Sequence, residues 1–97
     1  MSDLPEGLRA VVLYAPNPEY PSFLYNRGVR GGGTYRLIID PKNGKVTEVN
    51  VLKHARFAIL DELAAKAFLQ WRFRPGTSTQ ETIRFEFSSS GYSSQVH

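Results

Sequence analysis

Two alternating runs joined by Pro41-Lys42-Asn43-Gly44 constrain this chain more than any other feature. In Thr34 to Asp40 (TYRLIID), Tyr35, Leu37 and Ile39 share one face and Thr34, Arg36 and Ile38 the other. That period of two belongs to a half-buried strand. Lys45 to Lys53 (KVTEVNVLK) repeats the pattern, with Val49 and Val51 opposite Glu48 and Asn50. Between the runs, Asn-Gly supplies the positive φ values that tight reversals need. The pair predicts an antiparallel hairpin with one apolar face, which the rest of the chain must cover.

The cover is legible further on. Near Ile59 to Leu69 the apolar residues Leu60, Leu63, Ala64, Ala67, Phe68 and Trp71 recur at helical spacing, one stripe that reads as core. Asp61 and Glu62 fall in the first turn of this predicted helix, where the positive end of the dipole favours them. Pro75-Gly76 breaks the chain. Gln80 to Ser88 (QETIRFEFS) alternates again, with Ile83, Phe85 and Phe87 facing in and Thr82, Arg84 and Glu86 facing out. This last strand joins the hairpin to bury its aromatic face.

Upstream, Pro16, Pro18 and Pro21 forbid a regular helix or central strand over Ala15 to Pro21. Pro21 suits the first turn of a short helix over Ser22 to Arg27, with Phe23 and Leu24 turned inward. Gly28 and Gly31-Gly32-Gly33 follow. A phosphate cradle runs from strand to glycines to helix, and here the order is reversed. The glycines therefore read as a helix cap and a close backbone crossing. Leu8 to Tyr14 is a candidate short strand. Met1 to Gly7 and the Ser-rich Ser89 to His97 read as flexible ends. The expected fold is α+β: a small antiparallel sheet of three strands, with a short fourth at the N-terminus, and two helices packed on one face. Residues 1–14 form a lead, 15–88 the domain and 89–97 a tail.

Composition narrows the chemistry. The 97 residues hold no cysteine, which excludes disulfides, thiolate metal sites and thiol nucleophiles. No apolar run approaches the roughly 18 residues of a membrane span. Of the two histidines, His54 ends a strand and His97 ends the chain, so neither a metal site nor a cofactor is expected. No G-x-S-x-G elbow exposes a serine, and the adjacent Asp61-Glu62 pair points apart. Nothing reads as catalytic. Eight of the twelve cations are Arg and the net charge is +3, a pattern that suits an acidic partner surface as well as ordinary solvated charge. Trp71-Arg72-Phe73-Arg74, Tyr35-Arg36 and Arg84-Phe85 interleave cations with aromatics, as single-stranded nucleic-acid binders do. The same aromatics share a side with the aliphatics, so they read as core and no nucleic-acid partner is expected.

Three segments together resemble the C-terminal domain of TonB-type energy transducers. Asn17-Pro18-Glu19-Tyr20-Pro21 looks like the Q-P-x-Y-P lead into that family's first helix. The hairpin from Gly33-Thr34-Tyr35-Arg36-Leu37-Ile38-Ile39-Asp40 through Gly44-Lys45-Val46-Thr47-Glu48-Val49 is similar to G-x-V-x-V-x-F-x-V-D-P-D-G-K-V-x-x-V. Leu60-Asp61-Glu62, leading to Ala67-Phe68-Leu69-Gln70-Trp71-Arg72-Phe73-Arg74-Pro75-Gly76, matches L-D-x-x-A and W-R-F-x-P-G.

The resemblance implies the same sheet-and-helix architecture and a periplasmic partner. That partner is the extended N-terminal segment of an outer-membrane receptor, captured as an added strand on the final strand of the sheet. An edge strand offers unpaired amides and carbonyls to such a segment. On this sequence the capturing residues would be Gln80, Thr82, Arg84 and Glu86. Tyr20 and Pro21 match the element that flanks the captured strand, or simply pack the first helix onto the sheet. The chain departs from the family at Phe23, where a basic residue is common, in an extra turn residue, and at His54, often Ser. A transducer also needs a membrane helix and a Pro/Lys-rich spacer, so the expectation is either an excised domain, reaching the membrane through a missing N-terminal anchor, or a stand-alone relative. A second expectation for the same edge is self-association into a homodimer.

Overall fold

The computed structural model describes residues 10–88 and 91–96. Strand β1 (Val12–Tyr14) precedes helix α1 (Ser22–Asn26), the hairpin strands β2 (Gly31–Ile39) and β3 (Val46–Lys53), and helix α2 (Ala58–Phe68). Strands β4 (Arg72–Phe73), β5 (Gln80–Ser88) and β6 (Gly91–Val96) complete the order. The main sheet is antiparallel with the strand order β3-β2-β5-β6; β2 pairs with β5 in continuous register and with β3 across register shifts at Thr34/Tyr35 and Ile38/Ile39. The α+β class and the helix-covered antiparallel sheet are those that the patterning predicts.

The alternation works as physics requires. Tyr35, Leu37 and Ile39 from β2 and Ile83, Phe85 and Phe87 from β5 all point inward and are buried. Helix α2 lays Leu60, Ala64 and Phe68 on them. Its bounds lie one residue before the expected ones. Phe68 meets Tyr35, Trp71 and Phe85 in tilted or edge-on contacts with ring centroids 5.5, 5.2 and 6.2 Å apart, the geometry that ring quadrupoles favour. Gly33 lies on this inward face with the Tyr35 hydroxyl and the Lys53 carbonyl against it, so any side chain there would collide with one of them.

Three expectations need correction. Phe23 is not inward: it is 61% exposed, and Leu24 alone of α1 is buried. A five-residue helix offers a single position facing the core, and Leu24 takes it. The tail read as flexible instead supplies β6, which pairs with β5 from Ile83↔Val96 to Ser88↔Gly91. Serine-rich composition argues against an independent strand, but a strand already waiting at its edge supplies the missing hydrogen-bond partners. In the turn only Gly44 takes a positive φ, at 74°; Asn43 stays negative and its side-chain oxygen accepts the Lys45 amide at 2.9 Å. Met1 to Gly7, Ser89, Ser90 and His97 lie outside the described residues.

A second, two-stranded sheet ties the N-terminal strand to the segment that follows α2. Here β1 pairs with β4, Val12 opposite Phe73 and Tyr14 opposite Arg72. Val12 is therefore core rather than lead. The Phe73 amide donates to the Gly44 carbonyl at 2.8 Å, which brings the hairpin turn flat against β4. A β-carbon at Gly44 would run into the Phe73 carbonyl, on a backbone whose φ disfavours side chains. Gly44→Ala should therefore cost about 2 kcal/mol, combining left-handed strain with loss of that hydrogen bond. Thermal denaturation checks this, and an unchanged midpoint would mean that β4 does not hold the turn.

Candidate functional site

The residues expected to meet a partner line β5 and the start of α1. Gln80, Thr82, Arg84 and Glu86 stand on the face of the sheet away from the helices, as a period of two demands. Arg84 and Glu86 are exposed and Thr82 is half-buried. Beyond Ile83, no described residue pairs with Gln80 to Thr82 on the side away from β2. From Ile83 onward, however, β5 is not the open edge that its sequence position suggested. It lies between β2 and β6, and among the described residues the free edges belong to β6 and β3.

Tyr20 and Pro21 sit at the opposite end of β5 from Gln80, roughly 23 Å along the strand at about 3.3 Å per residue. The Tyr20 ring rests edge-on against Phe87 and Tyr25, with centroids 5.2 and 5.9 Å apart, and its hydroxyl donates to the Val29 carbonyl at 2.7 Å. Pro21 caps α1, its carbonyl accepting the Leu24 and Tyr25 amides at 3.0 and 3.2 Å. Both residues therefore anchor α1 onto the sheet. Tyr20 and Tyr25 thus form an aromatic pair beside the end of β5, and Phe23, on the same short helix, is exposed. The site residues thus share one strand and its flank rather than converging on a point.

The Trp-Arg-Phe element takes a structural role. Trp71 and Phe73 are in the core, and the indole N–H donates to the Pro16 carbonyl at 2.9 Å across 55 residues of sequence. Arg74 Nε–H donates to the Ala10 carbonyl at 2.9 Å. The aromatics that would have to stack on bases, Tyr35, Trp71, Phe73 and Phe85, are all buried. Residues 16–90 match the family described as the Gram-negative bacterial TonB protein C-terminal. The chain belongs to this family. No curated protein gives a match.

Domains of the TonB C-terminal family are periplasmic, transport-associated and non-enzymatic, and they interact with outer-membrane receptors. In this TonB C-terminal domain no helix of the described residues is long and apolar enough to cross a membrane.

One cluster escaped the sequence reading. Asp61, expected only to complement the helix dipole, is buried at the base of α2. Its Oδ1 accepts the Tyr35 hydroxyl at 2.6 Å and the Ala55 amide at 3.0 Å, and its Oδ2 accepts His54 Nδ1–H at 2.9 Å. Burial alone would raise this carboxyl, but the hydrogen bonds from Tyr35, Ala55 and His54 together bring it below its ordinary value of 3.8. Burial first, and then the neighbouring carboxylate, push the Tyr35 hydroxyl far above its ordinary range. Near neutrality Asp61 stays ionised and Tyr35 keeps its proton, so the cluster holds β2, the β3–α2 loop and α2 together. The sequence signal was an acidic residue on the apolar stripe, one position after Leu60, and a tyrosine on an otherwise aliphatic strand face.

Proposed function

We propose that this TonB C-terminal domain is the periplasmic receptor-binding end of an energy transducer. It captures the extended N-terminal segment of an outer-membrane receptor by strand addition against β5, in the place β6 occupies. One observation carries the reading: the strand completing the sheet on that side is short and held by a single ladder. Its sequence, Gly91-Tyr92-Ser93-Ser94-Gln95-Val96, contains two strand-favouring residues, Tyr92 and Val96, among six, so intrinsic preference holds it there only weakly. Replacing it with another strand exchanges one set of main-chain hydrogen bonds for an equal set. The incoming segment then meets, at one end, the amides and carbonyls of Gln80 to Thr82, which no described residue pairs on that side. At the other it meets the Tyr20–Tyr25 pair, while Arg84 and Glu86 lie on the adjoining face.

The test is deletion of residues 89–97. With the internal competitor gone, the binding-competent fraction approaches one and apparent affinity rises by the inverse of its former value. Isothermal titration with a synthetic receptor-derived segment should show about tenfold tighter binding, with amide shifts confined to Gln80–Phe87. Weaker binding after deletion would place capture on the outer edge of β6 and sink the displacement reading. The same strand, once β6 leaves it, favours self-association as a second reading, because β6 of one copy fits β5 of another. A dimer that grows with concentration in sedimentation and dissolves on adding the segment would unite the two readings at one edge.

A further inference from the structure

The face of the main sheet away from the helices carries an arrangement that strand addition does not use. Pairing sets its residues in rows across the strands. Lys53, Thr34 and Arg84 form one row, and Asn50, Arg36 and Thr82 form the next. Glu48, Ile38 and Gln80 follow, and Gly32 opposite Glu86 closes the other end. Three cations therefore occupy the centre of the face and one carboxylate lies towards each end. Among the described residues none of Arg36, Lys53 and Arg84 is in an ion pair, since His54–Asp61 is the contact that qualifies. Arg36 Nε is moreover buried without a hydrogen-bond partner, which is costly unless an acceptor arrives from outside.

The surface has a matching shape. A shallow trough of about 460 Å³ runs over Gly32, Gly33 and Thr34, walled by Lys53, Arg84 and Glu86. Gly32 contributes no side chain on this outward side, which leaves space beside Thr34. Lys53 and Arg84 flank Thr34 at two strand spacings, about 10 Å between backbones. A carboxylate seated over Thr34 lies within reach of both long side chains. Arg36 stands one row on, about 7 Å along the strand, which is the spacing of alternate side chains in an extended chain.

We propose that this open sheet face docks an extended acidic segment of a partner protein, with carboxylates at alternate positions seated on the Lys53–Thr34–Arg84 row and on Arg36. The distribution of charge selects this occupant. Glu48 and Glu86 bracket the cations, so a uniform polyanion such as a nucleic acid meets repulsion at both ends. A short segment with two acidic residues and neutral flanks keeps its charges on the cationic rows and sets its uncharged flanks beside Glu48 and Glu86. Arginine adds planar, bidentate geometry suited to carboxylates. The contacts run through side chains on the face, whereas strand addition runs through the main chain of the edge, so the two fail separately.

The experiment is an amide chemical-shift titration of the full chain with acetyl-Ser-Asp-Ser-Asp-Ser-amide and with its Asn counterpart. The Asp peptide should move the amides of Gly32, Gly33, Thr34, Lys53 and Arg84, and the Asn peptide should not. Lys53→Glu, on a strand outside the capture edge, should weaken the Asp peptide about fivefold or more. It should leave both the thermal midpoint and capture of the receptor-derived segment unchanged. Equal shifts with the Asn peptide, no shifts at all, or tighter binding of inorganic phosphate or a single-stranded oligonucleotide than of the Asp peptide would each overturn the proposal.

Discussion

Trp71→Ala should destabilise the domain by about 3–5 kcal/mol, read from urea unfolding followed by far-UV circular dichroism. The residue is 1% exposed and packs edge-on against Phe68 and beside Phe73, with centroids 5.2 and 6.3 Å away. Truncation removes the largest side chain of the core and leaves a cavity that three neighbouring elements must collapse to fill. It also removes the donor to the Pro16 carbonyl, so the proline-rich segment loses one of its ties to the core. A domain of this size has about 5–15 kcal/mol in hand, so the loss is a large fraction of the whole. Trp71→Phe separates the two contributions, keeping most of the packing and losing the hydrogen bond, and should cost clearly less. Circular dichroism is the required probe because Trp71 is the chain's single tryptophan. A change below 1 kcal/mol would show that the core closes without it.

Asp61→Ala should cost about 2–5 kcal/mol, although the side chain removed is small. The loss lies in what is left behind. The Tyr35 hydroxyl and the Ala55 amide are buried donors whose acceptor is Asp61 Oδ1, and each unsatisfied buried group costs about 1–3 kcal/mol. His54 matters less, because its side chain is 78% exposed and water replaces the lost partner.

The same cluster shapes the dependence on pH. Asp61 is depressed in the folded state, so its contribution is fully present above its ordinary value of 3.8 and is lost as pH falls through the lower folded value. Tyr35 is raised, so its contribution is fully present below its ordinary value of 10.0 and is lost as pH rises beyond it. Stability should form a plateau between these limits, and Asp61→Ala should flatten the acid limb. An acid limb that keeps its slope in the variant would assign acid unfolding to other carboxylates.

Much of the architecture was written in local chemistry. The period of two in Thr34–Asp40 and Gln80–Ser88 determined which side chains face the core, because a strand has no other way to place them. The stripe from Leu60 to Trp71 determined the covering face of α2 by the same logic at helical period. The Trp-Arg-Phe-x-Pro-Gly run, with the hairpin and the Tyr-Pro lead, was specific enough to identify the family. Its role was less legible: that Trp71 reaches back to Pro16, and that β4 holds the hairpin turn, depends on residues far apart in the chain.

The candidate site divides along the same line. The sequence by itself determined that Thr82, Arg84 and Glu86 face away from the core and that Tyr20 and Pro21 lead into α1. Only the tertiary structure decided that β5 is flanked by β6, that Phe23 is exposed, and that Asp61 is buried beneath Tyr35. The reason is the range over which each property is settled. Alternation, helical period and turn chemistry are fixed by neighbours a few residues apart. Whether a strand is an edge, or a carboxylate finds three donors, depends on which distant segment arrives beside it.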